Sequence, residues 1–241
     1  DAGVPILVHA YPDEMDKMGV AQRRDAFCGK FSIMDVFRQY GIPFTAFPPH
    51  TVHPRSDDFA RHLRDFAVIC RVCRGMRRLV VGAIGARTTA FKTVRFDELT
   101  LQHHGITTET LDLSSVIRRV RELHDSHPRY REKTQRLRDY TCWDGVPDES
   151  FDNLVKLAVI VDQIIEEFRL DALAIRCWLE LEQELKISPC VLLSEMNDRL
   201  VPAACEVDVC NAIAMRALQL ASNGLQSVST GTTTTGTNLT S

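Results

Sequence analysis

Between residues 77 and 221, short apolar runs alternate with longer stretches of helical period, and this alternation constrains the chain more than any other feature. "RRLVVGAIG" (77–85) reads as a buried strand running into a glycine turn, "ITTETLDLS" (106–114) as an edge-like strand and "DALAIRCW" (171–178) as another buried strand. "SPCVLLSEM" and "VPAACEVDV" read as two more extended segments, and "VPILVHA" (4–10) as a short strand near the start. Between them the sequence predicts helices over 30–41, 56–76, about 114–138, 148–169 and in "CNAIAMRALQLAS". Repeated strand and helix predict an α/β architecture with largely parallel sheets. Gly and Pro in "CWDGVP" suggest a boundary near 142–148, separating one α/β unit from a second, incomplete one that ends near 221. The stretch 222–241 is rich in Ser, Thr and Gly and is expected to be disordered.

The composition, 44% apolar and 25% charged in 241 residues, is that of an ordinary globular chain. A net charge of −3 gives no electrostatic reason to expect nucleic acid or an anionic membrane as partner. The basic run from Arg118 to Asp139 is interleaved with acids and reads as a solvated helical face. No apolar stretch approaches the roughly 18 to 20 residues needed to span a bilayer, and neither a membrane partner nor a secretory leader is expected. A cytoplasmic location with reduced thiols is the default expectation. The eight cysteines mostly sit in apolar contexts, where a free thiol behaves as a small core residue. This includes "CRVC" at 70–73, whose C-x-x-C spacing lies on a helical pattern without a second pair.

In open α/β sheets, ligands bind outside the carboxyl ends of the strands, so chemistry is sought there. Glu180, Glu182 and Glu184 come after "DALAIRCW", while Glu206 and Asp208 sit at the end of "VPAACEV". Residues two apart in a strand share a face, so Glu206 and Asp208 would project together from an apolar segment. Two such carboxylates need a shared proton or a cation. A hard divalent ion such as Mn²⁺ or Mg²⁺ takes oxygen ligands and leaves positions for substrate, and the same acids suit general acid and base work. Solvated helix-cap acids are the plain structural alternative.

At these residues the sequence resembles the L-fucose isomerase and L-arabinose isomerase superfamily, especially its shorter fucose isomerase-like members. The resemblance is carried by Cys177-Trp178, the Pro189-Cys190 strand, the Asn197-Asp198 turn and the Cys205-Glu206-Val207-Asp208 segment opening a helix. The upstream "RDAFCGKFSIMDVFRQYGIPF" and "RRLVVGAIGARTTAFKTVRFDE" resemble the group's middle domain. This implies a Rossmann-like middle domain over 1–145, with the end of the preceding domain at its start, and the start of a metal-binding catalytic domain over 146–221.

It further implies an aldose–ketose isomerase working through an enediol, with Mn²⁺, or Mg²⁺ or Co²⁺ in its place, and a monosaccharide substrate. A trimer or hexamer is implied as well. By position Asp208 is the second acidic ligand with Glu206 in support, and the first is Glu180 or Glu182. The family's third ligand is a His in the last domain, and no His comes after His127 in this chain. The resemblance therefore implies a fragment without the N-terminal and final domains, inactive alone. The other function class that remains is a noncatalytic sugar-binding or regulatory module on the same scaffold.

Trp178 stands where an aromatic ring could stack on a sugar or simply fill the core. Arg24, in "RRDAFCGK", could bring a cation to a substrate pocket. Gly82 and Gly85 make only a G-x-x-G turn, too little for a nucleotide site.

Overall fold

The computed structural model of the chain describes residues 4–222. The Thr-rich tail expected from residue 222 lies outside the described residues from 223 onward. The described residues form two compact units, divided between residues 73 and 74.

The second unit is built on one parallel sheet. Its strands are β1 (Leu79–Ile84), β2 (Ile106–Leu111), β3 (Ala172–Ile175) and β4 (Ala203–Cys205), in the spatial order β2-β1-β3-β4. Every pairing is parallel, with Leu79 opposite Ile106, Val81 opposite Ala172 and Ile175 opposite Cys205. The expected α/β class with a parallel sheet is therefore present. The segment 142–148 does not divide two sheets, since β1 and β2 precede it, β3 and β4 come after it, and all four pair together.

Period-two alternation sends each strand's side chains into two separate cores. Ile84, Leu173, Ile175 and Ala203 face the helices α4 (Leu113–Glu122), α5 (Pro128–Tyr140), α6 (Asp148–Phe168) and α8 (Cys190–Asp198). Leu79, Val81, Ala83, Ala172, Ala174 and Ala204 face the other way, against Val209, Ala212 and Met215 of α9 (Val209–Ser222). The alanines on that face let α9 sit close to the sheet. Helix α6 is the central buttress, with Leu154, Val155, Leu157, Ala158, Val161 and Ile164 all buried.

Three sequence expectations change. "SPCVLLSEM" is helix α8, not a strand: Leu192, Leu193 and Met196 are buried at helical spacing, a pattern that a short apolar run leaves ambiguous. The long helix expected over 114–138 is broken into α4 and α5, because Pro128 cannot continue a helix and instead starts one. His127 caps the new start, its Nδ1 accepting from the Arg129 N–H at 3.2 Å. Asn197 and Asp198 are not a turn but the end of α8. There Asn197 holds β4 by accepting from Ala203 N (3.0 Å) and donating to Ala203 O (2.9 Å).

The first unit contains α1 (Ala26–Gln39) and most of α2 (Asp57–Met76). The strand expected over 4–10 is reduced to a single bridge between Leu7 and Thr45. Asp13 takes the place of a local N-cap for α1, accepting from Arg24 N (2.8 Å) and Ala26 N (3.2 Å). Ser56 caps α2 through its Oγ, as its position predicts.

Candidate functional site

The order β2-β1-β3-β4 makes the chain step from β1 to β2 on one side and places β3 on the other, so the connections diverge between β1 and β3. A crevice opens at the carboxyl ends of such a pair. β1 leads into Gly85, Ala86 and Arg87, and β3 into Arg176, Cys177 and Trp178. Gly85 lies at φ +89°, and a Cβ there would meet the Arg176 Cβ at 3.0 Å, so the turn and the close approach both require glycine. Beyond it, Phe91 from the loop after β1 stacks on Trp178 from the loop after β3, with centroids 5.2 Å apart and planes at 8°. Trp178 is 41% exposed, so it does not fill the core.

β4 ends at Cys205, and the chain leaves the sheet there. Glu206 and Val207 both have left-handed backbones, φ 60° and 57°, an uncommon conformation for a β-branched residue. The turn is tied by Val207 N to Ile175 O (3.3 Å) and by Asp208 N to Cys205 O (3.0 Å). Glu206 and Asp208 thus do not alternate from a strand as their spacing suggested. Asp208 instead caps α9, with Oδ1 accepting from Asn211 N at 2.9 Å.

Glu206 is brought against two thiols. Cys177 donates to Glu206 Oε1 at 2.8 Å, and Cys205 Sγ lies 2.8 Å from Cys177 Sγ. The ligand atoms of Cys177, Cys205 and Glu206 lie within 4.8 Å of one another, and among the described residues this is the group with metal-ligand character. A fourth side chain, Cys190 at the start of α8, is hydrogen-bonded by Cys205, which holds the Cys190 thiol down at about 6, helped by Ser188 at 3.2 Å. Cys205 itself is pushed far up by its hydrogen bonds to Cys177 and Cys190 and by burial. Cys177 is buried, as expected of a core thiol, while Cys190 and Cys205 are half-buried. The signal for this cluster in the sequence was that Cys177 and Cys205 each end a strand and precede an expected site residue. Of the other five, Cys28, Cys73, Cys142 and Cys210 are exposed and Cys70 is half-buried.

Glu206 Oε2 is buried without a protein partner, and so is Glu180 Oε2. A buried carboxylate oxygen in that state suits a hard cation or a proton. Glu180 otherwise pairs through Oε1 with Arg176 at 2.7 Å, and it lines a second cavity of about 370 Å³ with Arg118 and Arg121. Glu182, on the same short helix α7 (Glu180–Glu184), is exposed. Glu180, Glu182 and Asp208 are not members of the Cys177–Cys205–Glu206 group. Arg24 belongs to the first unit, where it pairs with Glu14 and lies over the Tyr11 ring at 4.5 Å.

A cavity of about 330 Å³ adjoins the 206–208 turn, lined by Gly85, Arg87, Arg95, Thr110 and Val207 among others. Its volume lies within the range of small-molecule sites, about 300–1,000 Å³. Beside Arg87, the buried Thr88 hydroxyl has no partner.

Residues 2–77 match the family described as "Fucose/sulfoquinovose isomerase, N-terminal domain". The match ends close to the division between the two units at 73/74. N-terminal-domain sequence, expected to be missing, is thus present over 2–77. The chain is 26% identical over 224 residues to proteins named sulfoquinovose isomerase from Priestia aryabhattai and from Priestia megaterium, covering 91% of this chain and 48% of theirs. A third, from a Clostridium species, is 24% identical over 200 residues, covering 80% of this chain and 43% of its own length. The chain spans about half the length of the curated relatives it matches. The resemblance to fucose isomerase-like proteins read from the sequence is borne out by these matches. Among the described residues, no helix is long and apolar enough to cross a membrane.

Proposed function

Because residues 2–77 match the N-terminal domain of the fucose and sulfoquinovose isomerases, we propose that this chain is part of an aldose–ketose isomerase acting on a monosaccharide. The observation that carries the reading is the buried, half-partnered Glu206 carboxylate at the strand-end crevice, beside an aromatic platform. Glu206 and Asp208 would hold the divalent cation, Mn²⁺ or its substitutes Mg²⁺ and Co²⁺. When bound, such an ion supplies Lewis-acid stabilisation of charge on neighbouring substrate oxygens.

The chain's own residues account for the rest. Cys177 Sγ–H holds Glu206 Oε1 and leaves Oε2 pointing nowhere else in the protein. Trp178, backed by Phe91, offers a flat apolar face for the C–H side of a sugar ring. Moving a proton between C1 and C2 needs a carboxylate that can accept and return it. Glu180 has such an oxygen, buried and unpartnered, whereas Glu182 faces solvent. Arg87 and Arg95, which line the adjoining cavity, suit a sugar with an anionic substituent, the kind that the relatives' name implies. By resemblance alone, the whole protein is a cytoplasmic homo-oligomer.

The test is turnover of sulfoquinovose, L-fucose and D-arabinose by the whole protein with and without added Mn²⁺. We expect metal-dependent isomerisation that prefers the sulfonated sugar. Asp208→Asn keeps the cap on α9, because Asn caps helices as well as Asp, and is expected to abolish metal-dependent turnover. Glu180→Gln is expected to lower kcat by about 10²–10⁴-fold with Mn²⁺ binding retained. Full turnover in the Asp208→Asn protein would remove the metal assignment.

A further inference from the structure

The sulfur atoms at the strand ends can do more than hold a carboxylate. Cys177 lies just past β3 and Cys205 ends β4, and these strands are neighbours in register, Ile175 opposite Cys205. The two Sγ atoms are 2.8 Å apart, so the side chains already point at each other. A disulfide needs about 2.05 Å between sulfurs, less than 1 Å closer than these two lie.

We propose that Cys177 and Cys205 are a reversible oxidation site, closed to a disulfide by hydrogen peroxide. One sulfur attacks the peroxide O–O bond, forming a sulfenic acid, and the displaced hydroxide leaves as water with that thiol's proton. The second sulfur then attacks the sulfenic sulfur. The S–S bond forms, the S–O bond breaks, and the departing hydroxide takes the second thiol's proton. The two thiols lose two electrons and two protons, and peroxide is reduced to two waters. The disulfide has no S–H. Glu206 therefore loses the 2.8 Å donor on Oε1 while Oε2 is already unpartnered, so oxidation strips a buried carboxylate of its hydrogen-bond support. The thiol chemistry stands on the sulfur geometry and holds whether or not the chain belongs to an isomerase.

Tryptic digestion separates the participants, because cleavage after Arg176, Lys186, Arg199 and Arg216 yields peptides 177–186, 187–199 and 200–216. The chain is treated with peroxide, free thiols are alkylated, and the unreduced digest is read by mass spectrometry. The expected product is 177–186 joined to 200–216 with the loss of two hydrogens, reversed by dithiothreitol. Peptide 200–216 also holds Cys210, which is exposed, so the same product is expected from the Cys210→Ser chain and not from the Cys205→Ser chain. Circular dichroism of each variant reads whether it is folded, and the Cys210→Ser result stands even if Cys205→Ser does not fold. Separate alkylation of Cys177 and Cys205 while exposed cysteines oxidise would overturn the proposal. So would a link from 187–199 to 200–216, which would place the bond on Cys190.

Discussion

Gly85 sets how closely β1 and β3 deliver their loops to one another. At φ +89° it occupies a backbone region that side chains disfavour, and its missing Cβ leaves room for Arg176 at 3.0 Å. Gly85→Ala therefore meets both backbone strain and a steric clash, and we expect it to destabilise the second unit by about 1–3 kcal/mol, seen as a lower urea midpoint with an unchanged m-value. Retained stability would mean that the turn relaxes easily. This same scale shows where the sequence misleads. Glu206 and Asp208 look like same-face strand residues because the period-two rule assumes extended backbone, and nothing in "CEVD" signals that Glu206 and Val207 turn left-handed. The sequence singled out Glu206 and Trp178, and the structure sets Cys177 against the first and Phe91 against the second. Phe91 and the thiol partnership were missed, because both depend on loops meeting across the sheet, 87 residues apart for Phe91 and Trp178 and 28 apart for Cys177 and Cys205.

Among the elements, α8 carries the least legible feature. Its Glu195 is 1% exposed, yet it is flanked by Leu192, Leu193 and Met196 in a segment that reads as an apolar strand. The charge is tolerated because Arg136 from α5 and Arg199 both reach it, Arg199 Nε at 3.1 Å, and Arg199 and Lys133 in turn meet Asp162 of α6. Burial pulls the Arg199 guanidinium down, but the Asp162 and Glu195 carboxylates outweigh it and hold the group above its usual value. The network thus bolts α5, α6 and α8 to one another on the sheet face lined by Ile84, Leu173, Ile175 and Ala203. Glu195→Ala removes the shared carboxylate and leaves two guanidiniums facing each other. Breaking a buried pair typically costs about 3–5 kcal/mol. The lower end is expected, since the Arg136 side chain is 44% exposed and can be hydrated. Thermal melting checks this, and a loss below about 1 kcal/mol, the scale of an exposed pair, would show that the network is dispensable. Strands β1 and β3 and the helix α6 were legible because apolar runs bounded by Gly or charged residues leave one reading. Helix α8 was not, because its short apolar run at residues 190–193 fits either period.

At the scale of the whole molecule the two units differ in what holds them. The second has two sheet-facing cores with α6 buried along much of its length, whereas the first buries only Val8 and Val52 among its described apolar residues and exposes Phe27, Phe31 and Tyr40. Its interior is partly polar: Lys30 donates to His50 O at 2.9 Å, and His62 lies 3.0 Å from Pro48 O. His9 sits there with its Nε2 buried and unpartnered and its ring 4.3 Å from Phe59. Burial, together with Lys30 and His62, holds its pKa below the ordinary histidine value. In the pH range just below about 6.5, the unfolded chain then binds more protons than the folded one at this site, so stability decreases as the pH is lowered. The contribution is fully present above the unfolded pKa and is lost as pH drops toward the lowered folded value. Hydrogen exchange read by mass spectrometry at about pH 7.5 and about pH 5.5, corrected for intrinsic rates, separates the units. Peptides of α1 are expected to lose protection at the lower pH, while those of α6 keep theirs. His9→Phe, which cannot take up the proton, should abolish most of the pH-dependent loss in α1. An equal loss in the variant would assign the acid sensitivity to other groups and leave His9 as a packing residue.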